Sequence, residues 1–263
     1  MQNFKLSNDI RYKIIKNINA LRQADHPIIS YNKDKKSKLK YQFQNYEKIN
    51  ENFSQIYQDM FVLSMTNGKK EGTYLEIGAG YPKKGNNTFL LEQEFHWEGI
   101  SIDINPKSKE LFDKNRKNKC VCVDAKSIDY NKFFHEHYDS TSIDYLQLDC
   151  DPANITFEIL EKIPFDTYKF GVITYEHDFY NDPTGSYREK SRVFLKGKGY
   201  KLICGNISPL KDKYPFEDWW IHPDLIDENI WKQFERMDDL PINGEKYMLT
   251  KKHFLNKQNN NNI

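Results

Sequence analysis

From Gly72 onward the chain alternates short apolar runs with amphipathic stretches, and no other feature limits its possible folds so strongly. TYLEIGAG, GISIDIN, KCVCVDA, IDYLQLD and FGVITYEHD read as strands. Between them NNTFLLEQEFHW, KSKELFDKNRKN, SIDYNKFFHEHY and NITFEILEKI place apolar residues at helical spacing. Units of this kind join by right-handed crossovers into a mostly parallel sheet with helices on both faces. After the fifth strand the sequence predicts a helix through SYREKSRVFLKGKG, then YKLICGNI and EDWWIHP as an antiparallel pair on the sheet edge.

Residues 1–70 read as a helical extension or lid. IRYKIIKNINALRQ has helical spacing, YNKDKKSKLKYQFQN is basic and weakly periodic and reads as a mobile, exposed loop, and ENFSQIYQDMFVLSMT regains the helical period through Phe53, Ile56, Met60 and Leu63 before NGKKEG stops it. The main domain is expected over 71–255. The low-complexity tail at 256–263, within NKQNNNNI, is expected to be disordered.

Charge narrows the partners. Thirty-nine Lys plus Arg against thirty-eight Asp plus Glu leave a net charge of +1, so no global pull toward nucleic acid or anionic membrane is encoded. No run approaches the ~18 apolar residues of a membrane span, and MQNFKLSNDIRYK lacks the apolar middle of a signal peptide. A cytoplasmic protein without membrane span or nucleic-acid partner is the expectation, with oligomeric state left open. Cys120, Cys122, Cys150 and Cys204 lack metal or redox spacing and read as reduced core thiols.

In an open parallel sheet, ligands bind at the carboxyl ends of the strands, and here those ends are acidic. The first strand ends E-I-G-A-G, and the next four end in Asp103, Asp124, Asp149 and Glu176. A dinucleotide fingerprint needs a third glycine at position 83, which is Lys83. S-adenosylmethionine, a sulfonium without phosphate, suits these ends better. Gly78 and Gly80 let the backbone approach a ligand, Asp103 can accept both ribose hydroxyls, Asp124 with Ala125 can face the adenine, and Glu76 can meet the cationic methionine end.

The order SQIYQDM, TYLEIGAGYPKKGNNTFLLEQEFHWEGISIDINP, IDYLQLDCDPANITFEILEKI and FGVITYEHD resembles the FkbM-type methyltransferases, a branch of the class I S-adenosylmethionine-dependent enzymes. The match runs over roughly residues 54 to 225, and Asn87-Thr88, Leu91-Glu92, Trp97 and Gly99 are its more specific part. The resemblance implies a Rossmann-like seven-stranded sheet, S-adenosylmethionine as methyl donor, and a hydroxyl of a sugar, glycan or other small metabolite as acceptor. The chain departs from the family at Asp151-Pro152, where many members have an acid followed by Gly, and in the ionisable run Glu176-His177-Asp178.

Methylating a hydroxyl requires alignment with the sulfonium and removal of a proton. His177 is the best single base candidate because its ordinary pKa lies near ~6.5, with Asp149 beside it in that role. Asp149 and Glu176 occupy positions from which catechol-type O-methyltransferases coordinate magnesium, so Mg²⁺ or Mn²⁺ is a second route. Gln55 and Asp59 either cover the cofactor or form a solvated helix face. Trp219, Trp220 and His222 beside Glu217, Asp218 and Asp224 suit sugar stacking, with one tryptophan equally suited to the core. Lys33–Lys40 reads as a solvated charge run or a phosphate contact. Two other functions stay open: an NAD-dependent nucleotide-sugar-modifying enzyme, and a methyltransferase-like binding module without turnover.

Overall fold

Each of the five predicted strands forms: β1 (Thr73–Ile77), β2 (Glu98–Asp103), β3 (Lys119–Cys122), β4 (Ser142–Leu148) and β5 (Lys169–Glu176). They are followed by β6 (Lys201–Ser208), β7 (Glu217–Ile221) and β8 (Ile242–Asn243). The computed structural model describes residues 33–179, 182, 184–209 and 214–249; the expected helix at IRYKIIKNINALRQ and the tail lie outside them. The helices are α1 (Lys33–Lys36), α2 (Gln58–Met65), α3 (Phe89–Phe95), α4 (Pro106–Asn115), α5 (Tyr130–His137), α6 (Ala153–Lys162), α7 (Ser186–Gly197), α8 (Glu228–Trp231) and α9 (Gly244–Leu249).

The sheet has the order β3-β2-β1-β4-β5-β7-β6-β8, with β1 to β5 parallel and β7 antiparallel to both its neighbours. This is the Rossmann-like α/β class expected, with eight strands in place of seven. The added β8 pairs with β6 through Ile207↔Ile242 and Ser208↔Asn243; two residues are too short to carry an alternating pattern. YKLICGNI and EDWWIHP do pair antiparallel, but β7 is inserted between β5 and β6.

Strand periodicity divides the core. Tyr74, Tyr145, Val172, Trp219 and Ile221 share one buried cluster with α2, α3, α8 and α9. Leu75, Leu146, Ile173 and Trp220 share the other with α5, α6 and Leu195 of α7. This corrects the sugar-stacking expectation: both tryptophans have no exposed surface, because β7 is an interior strand with helices over both faces. Trp219 stacks on Phe61 at 4.5 Å between centroids, a geometry that contributes about 0.5–1.5 kcal/mol beyond area burial.

Two further expectations change before β1. The helix does not begin near Phe53. Asp59 accepts from the amides of Phe53 (2.7 Å) and Ser54 (3.0 Å) and from the Ser54 hydroxyl (2.5 Å), folding 53–54 back as a loop, and Tyr57 enters the helix with φ 73°. α2 is then buried on every side, so Asp59 belongs to no solvated face. The basic stretch is not a loose loop: Leu39 and Phe43 are core residues. Its lysines dock as well, Lys35 on Glu245 at 2.7 Å and Lys40 over the Tyr247 ring at 3.6 Å, while the Lys40 amide donates to Met248 O.

Helix starts follow their local signals. Asn105 caps α4 by accepting from the Lys107 amide, with Pro106 at the first helical position. Asp129 caps α5 through the Lys132 amide. The four cysteines are unpaired thiols; burial pushes Cys120 and Cys204 up to about 12, which removes thiolate reactivity.

Candidate functional site

Register places the acidic strand ends on one face. Ser101, Glu76, Gln147, Thr174 and Trp219 lie side by side across β2, β1, β4, β5 and β7. One pleat further toward the carboxyl edge, the same face carries Asp103, Gly78, Asp149, Glu176 and Glu217. The side chains follow from two-residue periodicity, and α2 and α3 border this face.

The loop after β1 is built on glycines for different reasons. Gly78 has φ +83° and a Cβ there would stand 1.7 Å from the Asp149 carbonyl oxygen, so the β1 and β4 ends can meet only without a side chain. Gly80 has φ +60° with nothing within 4 Å of its Cβ position, and its amide donates to Asp103 Oδ2 at 2.7 Å. Asp103 Oδ1 accepts from the Asn105 amide at 2.7 Å. The half-buried carboxylate is thereby fixed at the end of β2. At the end of β3, Asp124 caps the turn at Ala125–Ser127 through the Lys126 amide at 3.0 Å, and Ala125 is buried beside it.

Glu76 faces the protein rather than the crevice. Its oxygens accept from Asn86 Nδ2 (3.0 Å), Thr88 Oγ1 (3.1 Å) and Ser101 Oγ (2.7 Å). Burial raises its pKa, opposed by the Arg116 charge and these hydrogen bonds. Arg116, buried as well, donates to Glu92 Oε2 (2.7 Å), Pro82 O (2.9 Å), Asn86 Oδ1 (3.0 Å), Thr88 Oγ1 (3.0 Å) and Tyr74 Oη (3.1 Å). Every edge of the guanidinium is used. Thr88 and Glu92, two residues of the family-like stretch, therefore serve to clamp the 78–88 loop onto the sheet.

On the β5 side, His177 is 0% exposed. Its Nδ1 accepts from the Phe179 amide at 3.2 Å, and its Nε2 lies 3.3 Å from Asp218 Oδ1. Burial lowers its pKa against the pull of Asp218, so the ring is neutral, and a base role requires the Phe179 contact to open. Burial alone would raise Asp218, but the Arg192 charge and its two hydrogen bonds hold it far below the usual carboxylate range. With His177 neutral, Arg192 is the charge that acts, through Nε at 2.6 Å and a second nitrogen at 2.9 Å. Glu217, across from Glu176, accepts from Gln58 Nε2 at 3.3 Å and from Trp219 Nε1; burial pushes it up to about 8, with Asp149 and Asp218 adding to the rise.

The expected metal pair was Asp149 with Glu176. Among the described residues, the acidic group compact enough for one ion is Asp151, Glu176 and Asp178, with ligand atoms within 4.8 Å of one another; Asp149 is not a member. Carboxylate oxygens in that number fit Mg²⁺ or Mn²⁺ better than a softer metal.

No protein-family model matches the chain, and no curated protein matches it. Among solved structures it is similar to an rRNA methylase from Streptococcus thermophilus, at 12% identity and TM-score 0.42, covering 62% of this chain and 94% of that one. It is also similar to M. capricolum TrmK in complex with S-adenosyl-homocysteine, at 13% identity and TM-score 0.44, covering 64% and 70%. A third similar structure is the N-methyltransferase NodS from Bradyrhizobium japonicum WM9, in complex with S-adenosyl-L-homocysteine, at 11% identity and TM-score 0.39, covering 79% and 97%.

Sequence reasoning passed over two residues that organise this edge and misplaced a third: Asp218, expected beside the tryptophans as a sugar-binding acid, is buried on Arg192. Gln147 left a trace, a polar side chain inside an apolar strand buried on both faces, which demands a partner. Arg116 left none: in KNRKN it looks like one more solvated charge at a helix exit.

Proposed function

We propose that the protein is an S-adenosylmethionine-dependent O-methyltransferase acting on a hydroxyl of a sugar, glycan or related small metabolite. The observation that carries the reading is Asp103. Its two oxygens are each fixed by one backbone amide at the end of β2, which leaves lone pairs on both for the adjacent hydroxyls of a ribose. Asp124 and Ala125 stand at the next strand end, suited to the adenine. Carboxylates at 103, 149 and 176 along one edge oppose a pyrophosphate and favour a sulfonium. No observation favours a nicotinamide cofactor or a silent module over this reading.

In the transfer, the acceptor oxygen attacks the methyl carbon as the carbon–sulfur bond breaks, the sulfonium becomes a neutral thioether, and the hydroxyl proton passes to a base. Asp149, half-buried at the end of β4 beside Gly78, is the acid we assign to accept it, with His177 as the enclosed alternative. Asp151, Glu176 and Asp178 would hold a divalent cation, which supplies acidification of a bound hydroxyl.

The test is methyl transfer from labelled S-adenosylmethionine to a panel of neutral and nucleotide-linked sugars, with Mg²⁺ or with EDTA. Label recovered in an alkali-stable sugar ether supports the reading. Label found only on an amine or on RNA overturns the hydroxyl acceptor, and equal turnover in EDTA overturns the cation.

A further inference from the structure

Gln147 is 3% exposed, and its side-chain carbonyl oxygen has no hydrogen-bond partner among the described residues. Such an acceptor is costly in a protein interior and calls for a donor from outside the protein. Its in-register neighbours do not supply one. In register on β1 is Glu76, an acceptor whose oxygens are engaged by Asn86, Thr88 and Ser101. In register on β5 is Thr174, whose hydroxyl is shared with Tyr145 Oη at 2.7 Å.

The place of Gln147 in the sheet says which ligand group it meets, on the proposed reading of the cofactor. With the ribose on Asp103 and the adenine by Asp124 and Ala125, adenosine lies over β2 and β3. A cofactor laid along the carboxyl edge then has its amino-acid end over β1 and β4. Gln147 stands on β4, one pleat below Asp149 and beside β1, the strand that Gly78 follows. That end carries an ammonium and a carboxylate. The carboxylate is disfavoured next to Asp149 and Glu176 and offers nothing to an acceptor, whereas the ammonium is a cation with donors to spare.

We infer that Gln147 is a cofactor-binding residue whose side-chain carbonyl accepts a hydrogen bond from the α-ammonium of the S-adenosylmethionine amino-acid moiety, the contact that the sequence suggested for Glu76. Glu76 then acts by holding the 78–88 loop, and the ammonium is recognised by a neutral amide one pleat below the row of acids.

The experiment is calorimetric titration of the full chain with S-adenosylhomocysteine and with methylthioadenosine, which keeps the adenosine and sulfur but lacks the amino acid. Gln147→Met should weaken S-adenosylhomocysteine roughly tenfold and leave methylthioadenosine unchanged. Gln147→Glu, which keeps an acceptor, should retain S-adenosylhomocysteine binding within about threefold of the native protein. Thermal melting adds a readout independent of ligand: removing an acceptor that lacks a partner leaves the free Gln147→Met protein as stable as the native one or more so. The inference is overturned if Gln147→Met binds both ligands as the native protein does, weakens both equally, or melts well below it, or if Gln147→Glu loses as much as Gln147→Met. Native protein that binds neither ligand would overturn the cofactor reading itself; native binding with an indifferent Gln147→Met overturns this assignment alone.

Discussion

On the β1 side of the sheet, Arg116 gathers Glu92, Tyr74, Thr88 and Asn86 beneath the loop that follows the strand; on the β7 side, Arg192 gathers Asp218, Asp239 and Asn206 beside the loop that follows β5. Both are buried arginines surrounded by acceptors, yet they stand differently to the crevice. Around Arg116 the structural acids, Glu76 and Glu92, are separate from the presented one, Asp103, which backbone amides hold in a half-exposed position. Around Arg192 the two kinds alternate in sequence: His177 turns into the hub while Glu176 and Asp178 on either side join the acidic group with Asp151. The first arrangement insulates binding from folding. The second couples them, so changes near β5 should disturb charge, stability and chemistry together.

The largest effect tests the insulated side. Arg116→Met leaves Glu76 and Glu92 buried without their cation and should cost about 3–5 kcal/mol in urea unfolding; a loss under about 1 kcal/mol would show that the network is not what clamps the loop. Next comes the coupled side. Glu217 is raised from 4.5 to about 8 in the folded state, so between those values the folded protein binds more protons than the unfolded one and stability falls as pH rises. Native stability should drop by about 2–4 kcal/mol from pH 5 to pH 8 through this group, and Glu217→Gln should flatten the slope. A slope unchanged by the substitution would contradict the burial account.

A smaller difference separates the two glycines. Gly78→Ala, forced against the Asp149 carbonyl at φ +83°, should cost about 2–4 kcal/mol. Gly80→Ala, with open space at φ +60°, should cost only about 1–2 kcal/mol. Equal losses would mean that the left-handed backbone, not the meeting of β1 and β4, is what both positions require. The smallest effect is at the surface: Asp224→Asn, which removes the exposed pair with Lys169, should leave the urea unfolding midpoint unchanged.

The alternation of apolar runs made β1 to β7 legible because a strand buried on both faces leaves its pattern in consecutive residues. The acids at the strand ends were legible for the same reason: position along a strand fixes which edge they reach. What the sequence hid depends on distant partners. EDWWIHP reads as an aromatic surface until β5 and β6 close over both sides of it, and ENFSQIYQDMFVLSMT reads as a helix from its start until Asp59 captures the amides of Phe53 and Ser54. His177 looked like an accessible base because nothing in Glu176-His177-Asp178 announces Asp218, about forty residues on. Arg116 is the extreme case, since its partners come from β1, the following loop and α3.

The measurement that tests the central claim most directly is titration of the native protein and of Asp103→Ala with S-adenosylmethionine, alongside thermal melting of both. Because Asp103 is half-exposed and outside the Arg116 network, the variant should melt within a few degrees of the native protein while losing roughly a hundredfold or more in affinity, the scale of two charge-assisted hydrogen bonds. Native protein that fails to bind, or a variant that binds equally well, would contradict the assignment of this sheet edge to S-adenosylmethionine.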